Sequence, residues 1–316
     1  MIFGTVRRLR EAGVLGLNER NNRYTLAYNP RHLYPLVDDK LRTKQLALKA
    51  GLSVPELYGV IEIEHQIEDI HDTLAGHWQF VIKPAQGSGG DGVLVVAGRA
   101  KNMYRLVSGV IMDRSQLAHY ASNILSGLFS LGGHPDKALI EYRVQFDPLF
   151  GAISYQGVPD IRIVVFQGFP VMAMVRLPTR LSDGKANLHQ GAIGAGVDIA
   201  TGRTLTAVWR NEVVTEHPDT GNPVSGLQIP HWDRLLAIAA QAYDLTGLGY
   251  VGVDIVLDRD KGPLLLELNA RPGLNIQIAN GAGLLPRLQL IERIAARTYA
   301  VEERVAFAKD RMAARA

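Results

Sequence analysis

Apolar residues recur at Leu117, Tyr120, Ala121, Ile124, Leu125, Leu128 and Phe129. This is the i, i+3, i+4, i+7 series, so it predicts a helix over 115–131 with one buried face, stopped at Gly132-Gly133. A second helix is predicted from Asp38-Asp39 to Gly51: acids suit the positive end of the helix dipole, glycine supplies a left-handed cap, and Pro55 prevents resumption. Helices are also expected before Gly13, over 231–245 and through most of 284–316. Short apolar runs at 78–83, 93–96 and 138–144 read as strands. Hairpins are predicted for 160–166 with 171–177, 191–199 with 203–209, and 251–257 with 263–268, each joined by a glycine-containing turn. Residues 16–29, with Asn18, Arg20, Asn21, Asn22, Arg23 and Asn29, read as an extended solvated loop. Helix groups interleaved with antiparallel hairpins make the class α+β.

The chain has 316 residues, about two domains' worth. At 47% hydrophobic and 21% charged, disorder over most of its length is excluded. There is no cysteine, which removes disulfides, thiolate metal sites and cysteine nucleophiles. A metal must then be held by oxygen or imidazole, which points to magnesium-type chemistry. The net charge of +3 and 7% aromatic residues disfavour a nucleic-acid partner. No apolar run reaches the ~20 residues of a membrane span. Arg7, Arg8, Arg10 and Glu11 interrupt any signal-peptide core. A cytoplasmic protein without membrane insertion is expected, and an oligomer is compatible with the sequence.

Three constellations carry chemistry. In Lys83-Pro84-Ala85-Gln86-Gly87-Ser88-Gly89-Gly90-Asp91-Gly92, a strand delivers a lysine to a glycine-rich loop whose backbone N–H groups can turn toward an anion. That is either a phosphate cradle or a plain hairpin loop, and it lacks the Walker pattern. Glu267 and Asn269 are two apart in one strand and share a face. Asp254 interrupts the apolar partner strand, so three oxygen ligands can meet there and suit magnesium. Arg162 and Arg176 lie on paired strands near Asn187-Leu188-His189-Gln190-Gly191. Interior arginines need anionic partners, either an internal acid such as Asp160 or an anionic substrate.

In order, Asp39-Lys40, Gly51-Leu52-Ser53-Val54-Pro55, Val81-Ile82-Lys83-Pro84 with the glycine-rich loop, Ile140-Glu141-Tyr142, Asp160-Ile161-Arg162, Asn187-Leu188-His189, Gly252-Val253-Asp254-Ile255 and Glu267-Leu268-Asn269 with Pro272-Gly273-Leu274 resemble the ATP-grasp superfamily over residues 38 to about 290. The likeness is strongest to its glutamate-ligase-like branch, and the front end resembles a group associated with sugar transfer. The resemblance implies an ATP-grasp fold: two α+β subdomains gripping ATP between antiparallel sheets. It divides the chain into a short, truncated N-terminal segment (1–37), an N-terminal subdomain with lid and phosphate loop (38–145), and a C-terminal subdomain with metal and substrate site and a final helix (146–316).

It further implies that Lys40 and Lys83 hold the ATP phosphates from two subdomains. Gly87, Ser88, Gly89, Gly90 and Gly92 would fold over the phosphates, and Glu141, Tyr142, Arg143 and Val144 would form the adenine-reading hinge. Asp254, Glu267 and Asn269 would hold two magnesium (or manganese) ions, and Arg162, Arg176, Asn187 and Arg271 would surround the reacting carboxylate. The implied activity is an ATP-dependent carboxylate–amine ligase working through an acyl-phosphate, adding an amino acid such as glutamate to a peptide or polymer end. The alternatives are a small-molecule phosphotransferase and a non-catalytic nucleotide-binding protein. Two positions depart from the glutamate-ligase pattern: Gln190 stands where an arginine is usual, and Arg271 stands where a small residue is usual.

Overall fold

A computed structural model describes residues 2–87, 89–130, 132–294 and 297–314 of the chain. It divides into two compact units, one of residues 39–44 and 54–145, the other of 1–38, 45–53 and 146–316.

The smaller unit is built on a six-stranded antiparallel sheet of order β1-β6-β2-β3-β4-β5. Its strands are β1 (Leu57–Ile61), β2 (Phe80–Pro84), β3 (Leu94–Ala100), β4 (Met103–Leu106), β5 (Ile111–Asp113) and β6 (Ala138–Tyr142). Alternation along β2 buries Phe80 and Ile82, which join Val96, Tyr104 and Ile140 under Leu117, Ala121 and Ile124 of the helix Arg114–Leu125. A reciprocal cap starts that helix: Asp113 accepts from the Gln116 N–H at 2.8 Å, and the Gln116 side chain accepts from the Asp113 N–H at 2.9 Å. The pair satisfies two of the first-turn donors. The helix ends at Leu125, short of its apolar stripe, because Gly127 takes a left-handed φ of +84°. Leu128 is left exposed.

The larger unit contains a seven-stranded antiparallel sheet of order β11-β10-β9-β8-β7-β12-β13. Its strands are β7 (Asp160–Phe166), β8 (Phe169–Leu177), β9 (Ile193–Val197), β10 (Thr204–Trp209), β11 (Glu212–Val214), β12 (Tyr250–Asp258) and β13 (Gly262–Asn269). Strand β12 is buried along its whole length, as a central strand covered on both sides should be. The helix Trp232–Thr246 contributes Leu235, Leu236, Ala239 and Ala242 to the core. The helical tail is split into Leu285–Ile294 and Val301–Arg311. Among the described residues, no helix is long and apolar enough to cross a membrane.

Residues 16–29 are not an extended loop. They form helical turns at Leu17–Glu19, a π-helical stretch at Arg20–Thr25, and Leu26–Tyr28. Of the polar side chains there, Asn18, Asn22 and Arg23 are exposed, whereas Arg20 and Asn29 are buried because they serve backbone groups. Arg20 donates to the Pro272 carbonyl at 2.8 Å. The Asn29 amide donates to the carbonyls of Tyr250 and Ala270 at 2.7 and 2.9 Å, and its oxygen accepts from the Tyr250 N–H at 2.9 Å. Tyr24 supplies the apolar anchor, edge-on to Phe166 with centroids 5.5 Å apart. Replacing Asn29 by Ala strands three buried backbone groups, so it is expected to lower stability by about 2–4 kcal/mol in a denaturant titration. A loss under about 0.5 kcal/mol would show that water replaces the amide.

Candidate functional site

In the smaller unit the charge is concentrated at one buried carboxylate. Glu141 on β6 lies opposite Val81 of β2, so it shares a sheet face with neither Ile82 nor Ile140 but with Lys83, two residues beyond Val81. Its carboxylate pairs with the ammonium of Lys83 and, at 2.9 Å, with that of Lys44. All three are nearly sealed, at 6%, 6% and 3% exposure for Lys83, Lys44 and Glu141. Burial opposes ionisation of Glu141, but Lys83 and then Lys44 outweigh it and hold the carboxyl below its usual range. Burial lowers Lys44 in turn, against the pull of Glu141. The trio has one net positive charge, so Lys83 is fixed in place without being fully neutralised.

Lys40 opens the helix Lys40–Lys49 and donates to the Gly87 carbonyl, tying that helix to the glycine-rich loop. In the loop Gly89, Gly90 and Gly92 take left-handed φ of +67°, +83° and +73°. Side chains rarely adopt that backbone, and Ser88 lies outside the described residues. At the end of β6, Tyr142 donates its N–H to the Glu56 carbonyl; beyond it, Arg143 reaches the Gln79 side chain at 3.0 Å, and Val144 is buried. Lys40 and Lys83 belong to the same unit. That corrects the expectation of one lysine per subdomain: residues 39–44 pack with the sheet that carries Lys83.

In the larger unit an ionic set covers one face of the seven-stranded sheet. Register puts Asp254 directly between Arg162 on β7 and Glu267 on β13. A bulge at Leu266 interrupts the β12–β13 ladder just there, and bulges of this kind re-aim side chains beside functional sites. Asp160 lies opposite Arg176 on β8. Arg162 grips Asp254 bidentately, with Nε 2.6 Å from Oδ1. Arg176 grips Asp160 the same way and also donates to Asp254 Oδ2 at 2.8 Å. The Asn269 amide donates to Asp254 at 3.3 Å.

Burial would raise the Asp254 carboxyl, but Arg162 and Arg176 overcome it and hold it below its usual range. Asp160 goes the other way: burial, seconded by Asp254, outweighs Arg176 and pushes it up to about 6. Fixed charge thus assigns the two aspartates different proton affinities. The interior arginines therefore have internal acids as partners, Asp254 for Arg162 and both Asp160 and Asp254 for Arg176. The pairing Arg162 with Asp160, considered from sequence, is not the one formed.

The remaining sequence-derived positions are more dispersed. Asn187 caps the turn Leu188–Gln190 by accepting from the His189 N–H at 3.0 Å. Arg271 is exposed and lies 5.3 Å from the ring centroid of Tyr34. Lys44 is not among the positions singled out from the sequence. The available signal was spacing: Leu41, Lys44 and Ala47 repeat at i, i+3 along a buried stripe. Sequence reading assigned Glu141 a backbone role, whereas its carboxylate is the centre of the lysine pair.

A family model described as sugar-transfer associated ATP-grasp matches residues 19–293. Among curated proteins, the chain is 25% identical over 253 residues to a "Probable alpha-L-glutamate ligase" of Klebsiella pneumoniae (strain 342), covering 79% of this chain and 61% of that protein. It is 26% identical over 259 residues to a "Ribosomal protein bS6--L-glutamate ligase" of Salmonella paratyphi B (strain ATCC BAA-1250 / SPB7), covering 81% and 63%. The chain thus spans under two thirds of the length of these relatives. A solved ATP-grasp ligase complexed with a minimal precursor aligns over 85% of this chain and 63% of its own, at 15% identity and a TM-score of 0.47.

The Glu141→Gln variant removes the only acid from a buried trio and leaves two buried ammonium groups together. It is expected to cost about 3–5 kcal/mol at pH 7. Because the folded-state carboxyl is depressed, its contribution is fully present above the ordinary value of 4.5 and is lost as pH falls below it. The stability gap between wild type and variant should therefore shrink in acid denaturation curves below about pH 4.5. A gap that stays constant down to pH 3 would contradict the ionised trio.

Proposed function

Because the chain belongs to the sugar-transfer-associated ATP-grasp family, we propose that it is an ATP-dependent carboxylate–amine ligase. The reaction has two steps. A substrate carboxylate oxygen takes the γ-phosphoryl group of ATP, giving an acyl-phosphate and ADP. An amine nitrogen then bonds to the acyl carbon, the carbon–oxygen bond to phosphate breaks with its electron pair, and the nitrogen loses a proton. No side-chain nucleophile is required. The protein's work is positioning and charge neutralisation.

The observation that carries the reading is the register that sets Glu267 across from Asp254 with Asn269 two residues on. Two carboxylates and an amide oxygen are hard donors of the kind magnesium takes, and Glu267 and Asn269 are half-buried rather than sealed. These residues fit the ion, and they would hold it with Asp254 oriented by its two arginines. When bound, magnesium neutralises phosphate charge during transfer. Lys83, held by Glu141, and Lys40, at the mouth of the glycine-rich loop, would meet the phosphates, and Glu141 to Val144 would border the adenine.

A guanidinium has five N–H donors. Arg162 and Arg176 direct only some of theirs to aspartates. The remainder, with Asn187 and Arg271, would face the reacting carboxylate. The carboxylate belongs to a peptide or polymer end, and an amino acid is the amine class carried by the names of the relatives.

Magnesium-dependent ADP release is expected in a screen of amino acids against short peptides, with a product mass equal to the two substrates minus water. ADP without an amide product would favour phosphoryl transfer instead. Glu267→Gln should shift the magnesium requirement upward at least several-fold while ATP still binds; an unchanged magnesium dependence would remove Glu267 from the metal site. Lys40→Ala should weaken ATP binding by about 1.5–3 kcal/mol in calorimetry and leave adenosine binding unchanged. Equal loss for both ligands would place Lys40 away from the phosphates.

A further inference from the structure

The smaller unit holds one buried charge that the ligase reading does not use. Lys44 is almost as sealed as the carboxylate it meets. Its ammonium donates to the Pro55 carbonyl and lies 2.9 Å from Glu141 Oε2. Register brings the two lysines to this carboxylate from different sides. Glu141 on β6 lies between Leu57 of β1 and Val81 of β2. Pro55 stands two residues before Leu57, so Lys44 is tied to the β1 side. Lys83 is on β2 and takes the other oxygen, Oε1. The chain then runs from Lys83 into the glycine-rich loop. An ammonium has three donors. Lys83 gives one to Glu141, which leaves two for a ligand at the loop.

A tie between Pro55 and Glu141 needs a hydrogen-bond donor but no charge. An ammonium is the costly choice there. Burial lowers the proton affinity of Lys44 more than Glu141 raises it, and buried ionic groups add little stability over uncharged ones of similar shape. What the charge does change is the sum. Glu141 and Lys83 alone would be neutral, with the carboxylate cancelling most of the field of the ammonium beside it. Lys44 brings the total to one positive charge. Charges a few ångströms apart interact strongly away from bulk water, so an anion at Lys83 feels that extra charge.

Resting on the ligase reading above, we propose that Lys44 is a positioning residue for the nucleotide phosphates. It offsets Glu141 from the β1 side, so that Glu141 orients Lys83 without cancelling its charge. Lys44 itself touches no ligand. Phosphate affinity in the smaller unit then follows the summed charge of Lys44, Glu141 and Lys83.

Calorimetry on the full chain, with magnesium–ATP and with adenosine, tests this by counting charge. Lys44→Gln keeps a side-chain donor and brings the sum to zero. It should bind magnesium–ATP about tenfold more weakly, or worse, and adenosine as wild type does. The double variant Lys44→Gln/Glu141→Gln returns the sum to one positive charge, with bound phosphate as the counter-charge of Lys83. Its magnesium–ATP affinity should recover to within about threefold of wild type. A merely structural Lys44 gives the opposite pattern: the second substitution compounds the first, and both ligands weaken together. The inference is overturned if Lys44→Gln binds magnesium–ATP as wild type does, if adenosine weakens by the same factor, or if the double variant stays as weak as Lys44→Gln. Thermal melting checks that each variant folds. Where Lys44→Gln does not, the double variant decides: recovered affinity supports the inference and a tenfold loss overturns it. A wild-type chain that binds no magnesium–ATP overturns the ligase reading and the inference with it. Binding that is lost in Lys83→Met yet unchanged in Lys44→Gln overturns the inference alone.

Discussion

Everything proposed for the larger unit depends on Asp254 remaining ionised inside a sheet. A lone buried carboxylate would take up a proton, since desolvation disfavours the charge. Arg162 on the adjacent strand β7 and Arg176 on β8, one strand further, prevent this by donating to its oxygens. Arg176 also grips Asp160, so opposite charges face each other from β12 to β7 and from β7 to β8. Removing Asp254 leaves Arg162 without its acid, and removing Arg176 leaves Asp160 without its bidentate partner, each buried. The strand register is thereby locked, and Glu267 and Asn269 are held on the functional face. The smaller unit repeats the device with reversed sign, two ammonium groups around Glu141.

The sequence made the larger unit's three hairpins legible because each pairs apolar runs across a short glycine-containing turn. Their observed strands, such as Tyr250–Asp258 with Gly262–Asn269, differ from expectation only at the ends. β1, β4, β5 and β11 were not anticipated. They are short and only partly buried, so alternation is weak in them. The segment 16–29 was misread for another reason. Composition suggested solvent, yet Arg20 and Asn29 are polar so that they can cap backbone carbonyls inside the fold. A buried side chain that bonds to backbone has no sequence periodicity of its own.

In the candidate site, the acids and arginines stood out because they interrupt apolar strands. Which acid pairs with which arginine was not legible, since that depends on register across β7, β8 and β12 rather than on spacing within a strand. Lys44 was obscured by its charged neighbours Arg42 and Lys49. The family model assigns the chain to a family, and the structure supplies the pairing of its buried charges.

The central claim is that the Asp254, Glu267 and Asn269 face binds a metal–nucleotide complex. Diffraction from crystals grown with ATP and manganese, measured at the manganese absorption edge, tests it most directly. The account predicts anomalous density bonded to oxygens of Glu267 and Asn269. Manganese bound elsewhere, or a nucleotide seated away from these residues, would contradict it.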